Sequence, residues 1–397
     1  MLDHLSCSRL TVAACTAAVG ALILVCAAET TAQAPSLKTP WGEPDLQGIW
    51  TVEYDTPLQR SSRFANLEFF TEAQRAELDR LRSQIRGRDM RGERGSETDV
   101  AGAYNDVFGA MKRTGKRTSA IVDPPDGRIP SMTPEAQRIV AEDRAFRLAL
   151  MRATQTCKQQ LPGCAGGKYD PKPAVELRDA PPLRYNTARM NRHNDPEDGS
   201  LADRCLTIGL PEFGAGNGGG SFRRIVQTPG GITIAYDVGQ GQGWQRNIVM
   251  NGSPHLPAHM RQWFGDSRGH WEGNTLVVDV TNFSPKTDFQ GSRENLHLIE
   301  RWTRIGPNTL EYVVMIEDPT VWTRPWTVHE EFSKQSDAEN RIYYEPRCVE
   351  GNYALPGWLR GRRMEELAFT QGRGPDPATK DDTAPLIETE ALPDPLQ

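Results

Sequence analysis

The chain has 397 residues, 25% of them charged and 8% aromatic, with a formal net charge of −6. That length supports one large domain or two modest ones, and the acidic balance argues against nucleic acid as a partner. The basic clusters at 80–94 and 112–117 are short or interleaved with acids, as a solvated surface is.

Residues 1–34 read as a signal peptide. Arg9 precedes an apolar run from Leu10 to Ala28, and the segment ends in the small-x-small pattern Ala32-Gln33-Ala34. Pro35 is a poor residue after a cleaved bond, so cleavage after Ala28 or Ala32 is the alternative. No later run has the length needed to cross a bilayer; the mature chain is expected to be soluble and periplasmic or secreted. Cys7, Cys15 and Cys26 leave with the leader, which leaves Cys157, Cys164, Cys205 and Cys348. In an oxidising compartment these predict two disulfides. The favoured pairing is Cys157 with Cys164, across a short Pro-Gly loop, and Cys205 with Cys348. The four show no close zinc-type pairing.

Residues 35–155 read as an N-terminal arm followed by helices. The arm, to Glu53, holds one short apolar run that suits an edge strand or a docked segment. Thr71 and Gln74 form a capping box ahead of Leu78, Leu81 and Ile85, which predicts an amphipathic helix ending near Gly87. A second short helix is expected over 101–111. After the turn Asp123-Pro-Pro-Asp-Gly127, Thr133 caps a third with Pro134 at its first position, and Ile139, Phe146 and Leu150 mark its buried stripe. Residues 156–221 are rich in Pro, Gly, Asn and Asp and read as a long loop region.

From Phe222 the period becomes two. Strands are predicted over 223–227, 232–236, 244–250, 275–281, 296–304, 310–316, 326–332 and 341–344. Eight short strands without helical crossovers suggest an antiparallel up-and-down β-barrel over 222–353, lipocalin-like, in an α+β, mainly β chain with a helical N-terminal region. Residues 354–397 form a C-terminal extension, with a poorly ordered tail from Gly372.

Candidate chemistry centres on GDSRGHWEGNTLVVDVTNF (265–283). Glu272-Gly-Asn-Thr275 reads as a hairpin turn, and Asp266 with Ser267 as an Asx-type turn. Asp279, in the middle of a valine-rich strand, is costly unless it faces water, a partner or a polar cavity. On the next strand His297, Ile299, Arg301 and Thr303 share one face; Leu296, Leu298, Glu300 and Trp302 share the other. If the polar faces meet, Asp279, His297 and Arg301 converge. That set suits general acid-base chemistry, with His297 as base or acid, Asp279 or Glu317 as its carboxylate partner, and Arg301 holding an anionic group. Asp266 is a further candidate. The competing reading is an ion-pair lattice on an outward-facing sheet.

Seven of the nine tryptophans lie between Trp244 and Trp358; most of them suit a filled core. Trp322 and Trp326, flanking Arg324 and Pro325, are the candidates for the wall of a ligand cavity, with His255 as another contact. His255 and His259 have metal-pair spacing, but Pro257 would start any helix there and leave His255 outside it, so no metal ligand is assigned. His193, His270 and His329 read as surface or hydrogen-bonded residues. There is no GxSxG elbow, P-loop or Rossmann fingerprint in strand-helix context, so no cofactor is expected.

The strings DLQGIW (45–50), IVDPPDGRIP (121–130), RIVQTPG (224–230), PHLP (254–257), RQWFGDSRGHWEGNTLVVDVTNF (261–283), ENLHLIERWTR (294–304), EDPTVWTRPW (317–326) and CVEGNY (348–353) resemble those of a family of largely uncharacterised exported proteins of soil bacteria. The resemblance covers most of the mature chain. It implies export and a shared architecture and lends no catalytic residue, substrate or fold.

These readings favour an exported enzyme that applies acid-base chemistry, as a lyase, isomerase or hydrolase, to a small hydrophobic or aromatic molecule. The alternative is a periplasmic small-molecule-binding or carrier barrel. A third reading is an envelope interaction protein that uses the Gly-rich loop as its contact. The oligomeric state is left open.

Overall fold

Strands with one apolar and one polar face bury the apolar face most completely by curling into a closed sheet, and here that sheet is a β-barrel. The computed structural model describes residues 37–52, 54–83, 113–174, 191–201, 204–207, 209–212, 222–237, 244–335 and 353–381. The strands are β1 (Gly48–Val52), β2 (Tyr54–Asp55), β3 (Arg113–Thr114), β4 (Ile121–Asp123), β5 (Phe222–Thr228), β6 (Gly231–Asp237), β7 (Trp244–Val249), β8 (Asp266–Glu272), β9 (Thr275–Thr281), β10 (His297–Gly306), β11 (Thr309–Glu317) and β12 (Trp326–Lys334). Nine of them, β1 and β5 to β12, run in order around the ring, which closes where β1 pairs with β12.

Two expectations are corrected. The barrel is mixed rather than antiparallel, because β7 and β8 run parallel through the pairs Ile248 with Ser267 and Val249 with Arg268. Strand direction cannot alternate all the way around a ring of nine, so one parallel neighbour is unavoidable. The arm strand β1 is neither an edge nor a docked segment: it pairs with β5 on one side and β12 on the other. Its approach is pinned into one end of the barrel. The Leu46 N–H donates to Gln227 Oε1 at 2.5 Å, Trp50 Nε1 donates to Leu46 O at 2.8 Å, and Arg304 Nη1 donates to Asp45 O at 2.8 Å. The ring strand missing from the prediction is β8, whose first residues Asp266 and Ser267 pair with Thr281 and Val280 rather than forming a turn. The predicted strand at 341–344 lies outside the described residues.

The barrel interior is aromatic. Trp302 packs on Tyr312 with centroids 4.2 Å apart, Phe332 lies 5.9 Å from each of them, and Trp322 meets Trp326 edge-on at 5.5 Å. Each such side chain taken from water stabilises by about 1.5–3 kcal/mol.

Helix α1 (Glu72–Arg82) starts at the predicted capping box, and α2 (Pro134–Met151) starts at Thr133, whose Oγ1 accepts from the Ala136 N–H. Short α3 (Gln155–Lys158) carries Cys157, which is bonded to Cys164. Cys205 is also disulfide-bonded, and the proposed partner Cys348 lies outside the described residues, as do the predicted leader and the predicted helix at 101–111. The C-terminal extension holds α4 (Ala354–Thr370). The start of the expected loose tail is built in: Arg362 Nη1 donates to Pro377 O at 2.9 Å, and Asn191 Nδ2 to Lys380 O at 3.1 Å. No described helix is long and apolar enough to cross a membrane.

Candidate functional site

The polar face of β9 and β10 lies on the outside of the barrel. Asp279 and His297 sit at its centre, and the loop between β7 and β8 folds over them and brings in His255. His297 Nε2 lies 3.0 Å from Asp279 Oδ1, and its Nδ1 lies 3.4 Å from Glu317 Oε2 on the neighbouring β11. His255 Nε2 approaches the same Asp279 oxygen at 3.4 Å, while its Nδ1 meets Asp266 Oδ2 at 2.8 Å. Asp266 is locked in turn by a two-pronged bond from Arg268 at 2.9 and 3.0 Å and by the Leu256 N–H at 2.9 Å. The result is a chain of alternating carboxylates and imidazoles, buried at Asp266 and partly exposed from His255 to Glu317.

The electrostatics follow from these contacts. The hydrogen bond to Asp279 raises the pKa of His297 against the opposing effect of burial, with Glu317 adding to the rise. The bond from His297 holds Asp279 below the usual carboxylate range. Burial pushes Asp266 up, but the Leu256 N–H, Arg268 and His255 together bring it below its ordinary value. Both nitrogens of each ring face carboxylates, so every contact is a hydrogen bond only when the imidazoles are protonated.

A raised imidazole pKa contributes stability that is fully present below about pH 6.5 and lost as pH rises through the folded value; a lowered carboxyl pKa contributes stability lost as pH falls through its folded value. Asp279→Asn is therefore expected to destabilise most in mildly acidic solution, between those two values, and least in alkali. Urea midpoints of the two proteins across pH test this. Curves that stay parallel into the alkaline range would show that His297 and Asp279 are not coupled.

Other predicted site residues are placed elsewhere. Arg301 does not join the chain: its Nη2 donates to Glu272 at 2.6 Å on the exposed surface, four residues along β10 from His297. Trp322 and Trp326 are core residues, 2% and 0% exposed, rather than an open cavity wall. Between them Arg324 points outward, exposed, to Asp123 at 2.6 Å. No helix starts at Pro257, and His259 is exposed outside the cluster. His329 bonds Glu311, His270 bonds Glu272, and His193 packs against Trp358. Among the described residues, no group of three or more His, Cys or carboxylate side chains is arranged to hold a metal ion.

Inside the barrel lies a second polar set that the sequence reading did not single out. Arg223 from β5, Tyr236 from β6, Arg246 from β7, Glu300 from β10, Tyr312 from β11 and Glu330 from β12 are all buried. Arg246 Nη2 donates to Glu300 Oε2 at 2.6 Å, and Tyr312 Oη donates to Glu300 Oε1 at 2.9 Å. Arg223 pairs with Glu212, donates to its backbone oxygen at 2.6 Å, and lies with its guanidinium 4.1 Å from the Phe332 ring centre. Burial acts against the charge on Arg246, but Glu300 together with Tyr236 and Tyr312 outweighs it and raises the arginine pKa; burial also pushes both tyrosine hydroxyls well up. Arg246 therefore keeps its charge and the two phenols keep their protons.

The chain matches no protein-family model and no curated protein. Four chains of solved structures match it. One is an abundant heat soluble (SAHS) protein of Ramazzottius varieornatus, with 13% identity over 30% of this chain and 74% of that one, at a TM-score of 0.21. Another is a point mutant of the fluorescent protein UnaG, with 14% identity over 30% of this chain and 73% of that one, at a TM-score of 0.19.

The interior set did leave a signal in the sequence. Arg246 stands between Trp244 and Ile248, Glu300 between Leu298 and Trp302, and Glu330 between Val328 and Phe332. Each is a charge in the apolar phase of an alternating strand. Such a residue is buried with the apolar ones and must find its partners inside.

Proposed function

We propose that this protein is an exported small-molecule-binding barrel whose ligand is taken into the interior, against the band formed by Arg223, Arg246, Glu300 and Tyr312. The observation that carries the reading is a set of buried donors: Arg223 Nε and Nη1, Arg246 Nε and Trp302 Nε1 have no hydrogen-bond partner. A buried donor left unpaired costs about 1–3 kcal/mol, and native interiors rarely tolerate several together. A guest that accepts those bonds removes the cost. The outer chain of imidazoles and carboxylates supports acid-base catalysis less well, because each ring nitrogen already faces a carboxylate and none is left for a substrate proton. In this reading the outer chain fastens the loop carrying His255 to the barrel wall.

Native mass spectrometry of the full chain, purified from an oxidising periplasm and compared with its denatured mass, tests the proposal. An added non-covalent mass of small-molecule size, lost on denaturation, is the expected result. A bare mass, together with an unchanged melting temperature on adding organic extract of the same cells, would overturn it.

A further inference from the structure

The pattern of paired and unpaired atoms in the band restricts the chemistry of the ligand, given the binding reading above. The residues that carry the unpaired donors are linked through shared neighbours. Arg223 and Trp302 both pack on Phe332, Trp302 also packs on Tyr312, and Tyr312 shares Glu300 with Arg246. Arg246 in turn lies over Tyr236, its guanidinium 5.9 Å from the ring centre. The unpaired groups thus border one aromatic neighbourhood, and all four of the atoms are N–H donors.

The charges, by contrast, are already matched. Arg246 has Glu300 and Arg223 has Glu212. An anionic ligand would add to the buried carboxylates Glu300 and Glu330 in an interior whose two arginines are already paired, and a cationic one would enter beside two guanidinium groups whose carboxylates are already engaged; either carries a desolvation cost. What these four N–H groups lack is an acceptor. We infer that the ligand is an uncharged, largely apolar molecule bearing acceptor oxygen, of the ketone, ester or quinone type, with its oxygen on the N–H groups of Arg223, Arg246 and Trp302 and its apolar body against Phe332 and Tyr312.

Four benzene-sized probes separate this from its rivals. Acetophenone carries the carbonyl, α-methylstyrene has the same shape without an acceptor, benzoate adds a negative charge and benzylammonium a positive one. Binding to the full chain is read from the Trp302 indole N–H resonance and from affinity. Acetophenone is expected to bind about tenfold or more tighter than α-methylstyrene, the range of a hydrogen bond to a charged donor, and to shift the Trp302 N–H. Trp302→Phe, which keeps a ring in the core but removes the indole N–H, should narrow that preference. Equal binding of acetophenone and α-methylstyrene would overturn the acceptor assignment while leaving the barrel a binder. Tighter binding of benzoate or benzylammonium would overturn the neutral-ligand assignment. Binding of none of the four would overturn both this assignment and the binding reading.

Discussion

Glu300→Ala is expected to destabilise the protein by about 3–5 kcal/mol, the usual range when one partner of a buried ion pair is removed. Glu300 is 1% exposed and accepts from Arg246 Nη2 and from the Tyr312 hydroxyl. The substitution leaves the Arg246 guanidinium charged inside the barrel, where burial already opposes its charge, and leaves a buried phenol without an acceptor. Replacing the pair together, with Arg246→Met and Glu300→Leu, should recover most of the loss, because the charge that needed compensation is gone. A double-mutant cycle by urea unfolding measures the coupling. A single-mutant loss below about 1 kcal/mol, the level of an exposed pair, would mean that water reaches Glu300.

Gly265→Ala is the second large effect expected. Gly265 has φ +65°, and a Cβ there would stand 2.6 Å from the Thr281 carbonyl oxygen and 2.9 Å from Val280 Cγ1. The oxygen belongs to Thr281 of β9, which pairs with Asp266 of β8, so its retreat is limited. Left-handed strain and overpacking together should cost about 2–6 kcal/mol. Gly273 supplies the comparison: its φ is +62° but nothing lies within 4 Å of an added Cβ, so Gly273→Ala should lose only the strain, about 1 kcal/mol. Melting temperatures of the two variants make the test. Equal losses would show that the contact with Thr281 yields and that the turn into β8 is set by conformation alone.

The alternation of residues along β9, β10 and β11 was legible because side-chain direction in a strand has a period of two, whatever the strand pairs with. It sorts His297, Ile299, Arg301 and Thr303 from Leu298, Glu300 and Trp302, and the pairing of Ile299 with Asp279 and Leu298 with Val280 keeps those faces together. Why Arg301 stands apart from Asp279 was not legible. Glu272, at the end of β8, reaches it across β9, and β8 itself was hidden because Asp266-Ser267-Arg268-Gly269 reads as turn chemistry. The exposed half of the His255 contact was equally out of view, since it depends on how the loop between β7 and β8 folds over the wall.

By itself the sequence determined the strands of the 222–334 region other than β8, the capped starts of α1 and α2, and the favoured pairing of Cys157 with Cys164, each a consequence of neighbours within a few residues. Tertiary structure decided the rest. Closure by β1 joins Trp50 to Arg223 and Lys334 across long stretches of chain; that contact has no local signature, and with it the ring has nine strands and one parallel seam. Closure also decides which face is inside. Two faces that both carry charge, one with Asp279 and His297 and the other with Glu300 and its partner Arg246, cannot be ranked by polarity alone. The barrel buries the face whose remaining residues are apolar, so Glu300 goes in with Leu298 and Trp302, and the histidine chain is left on the outer wall.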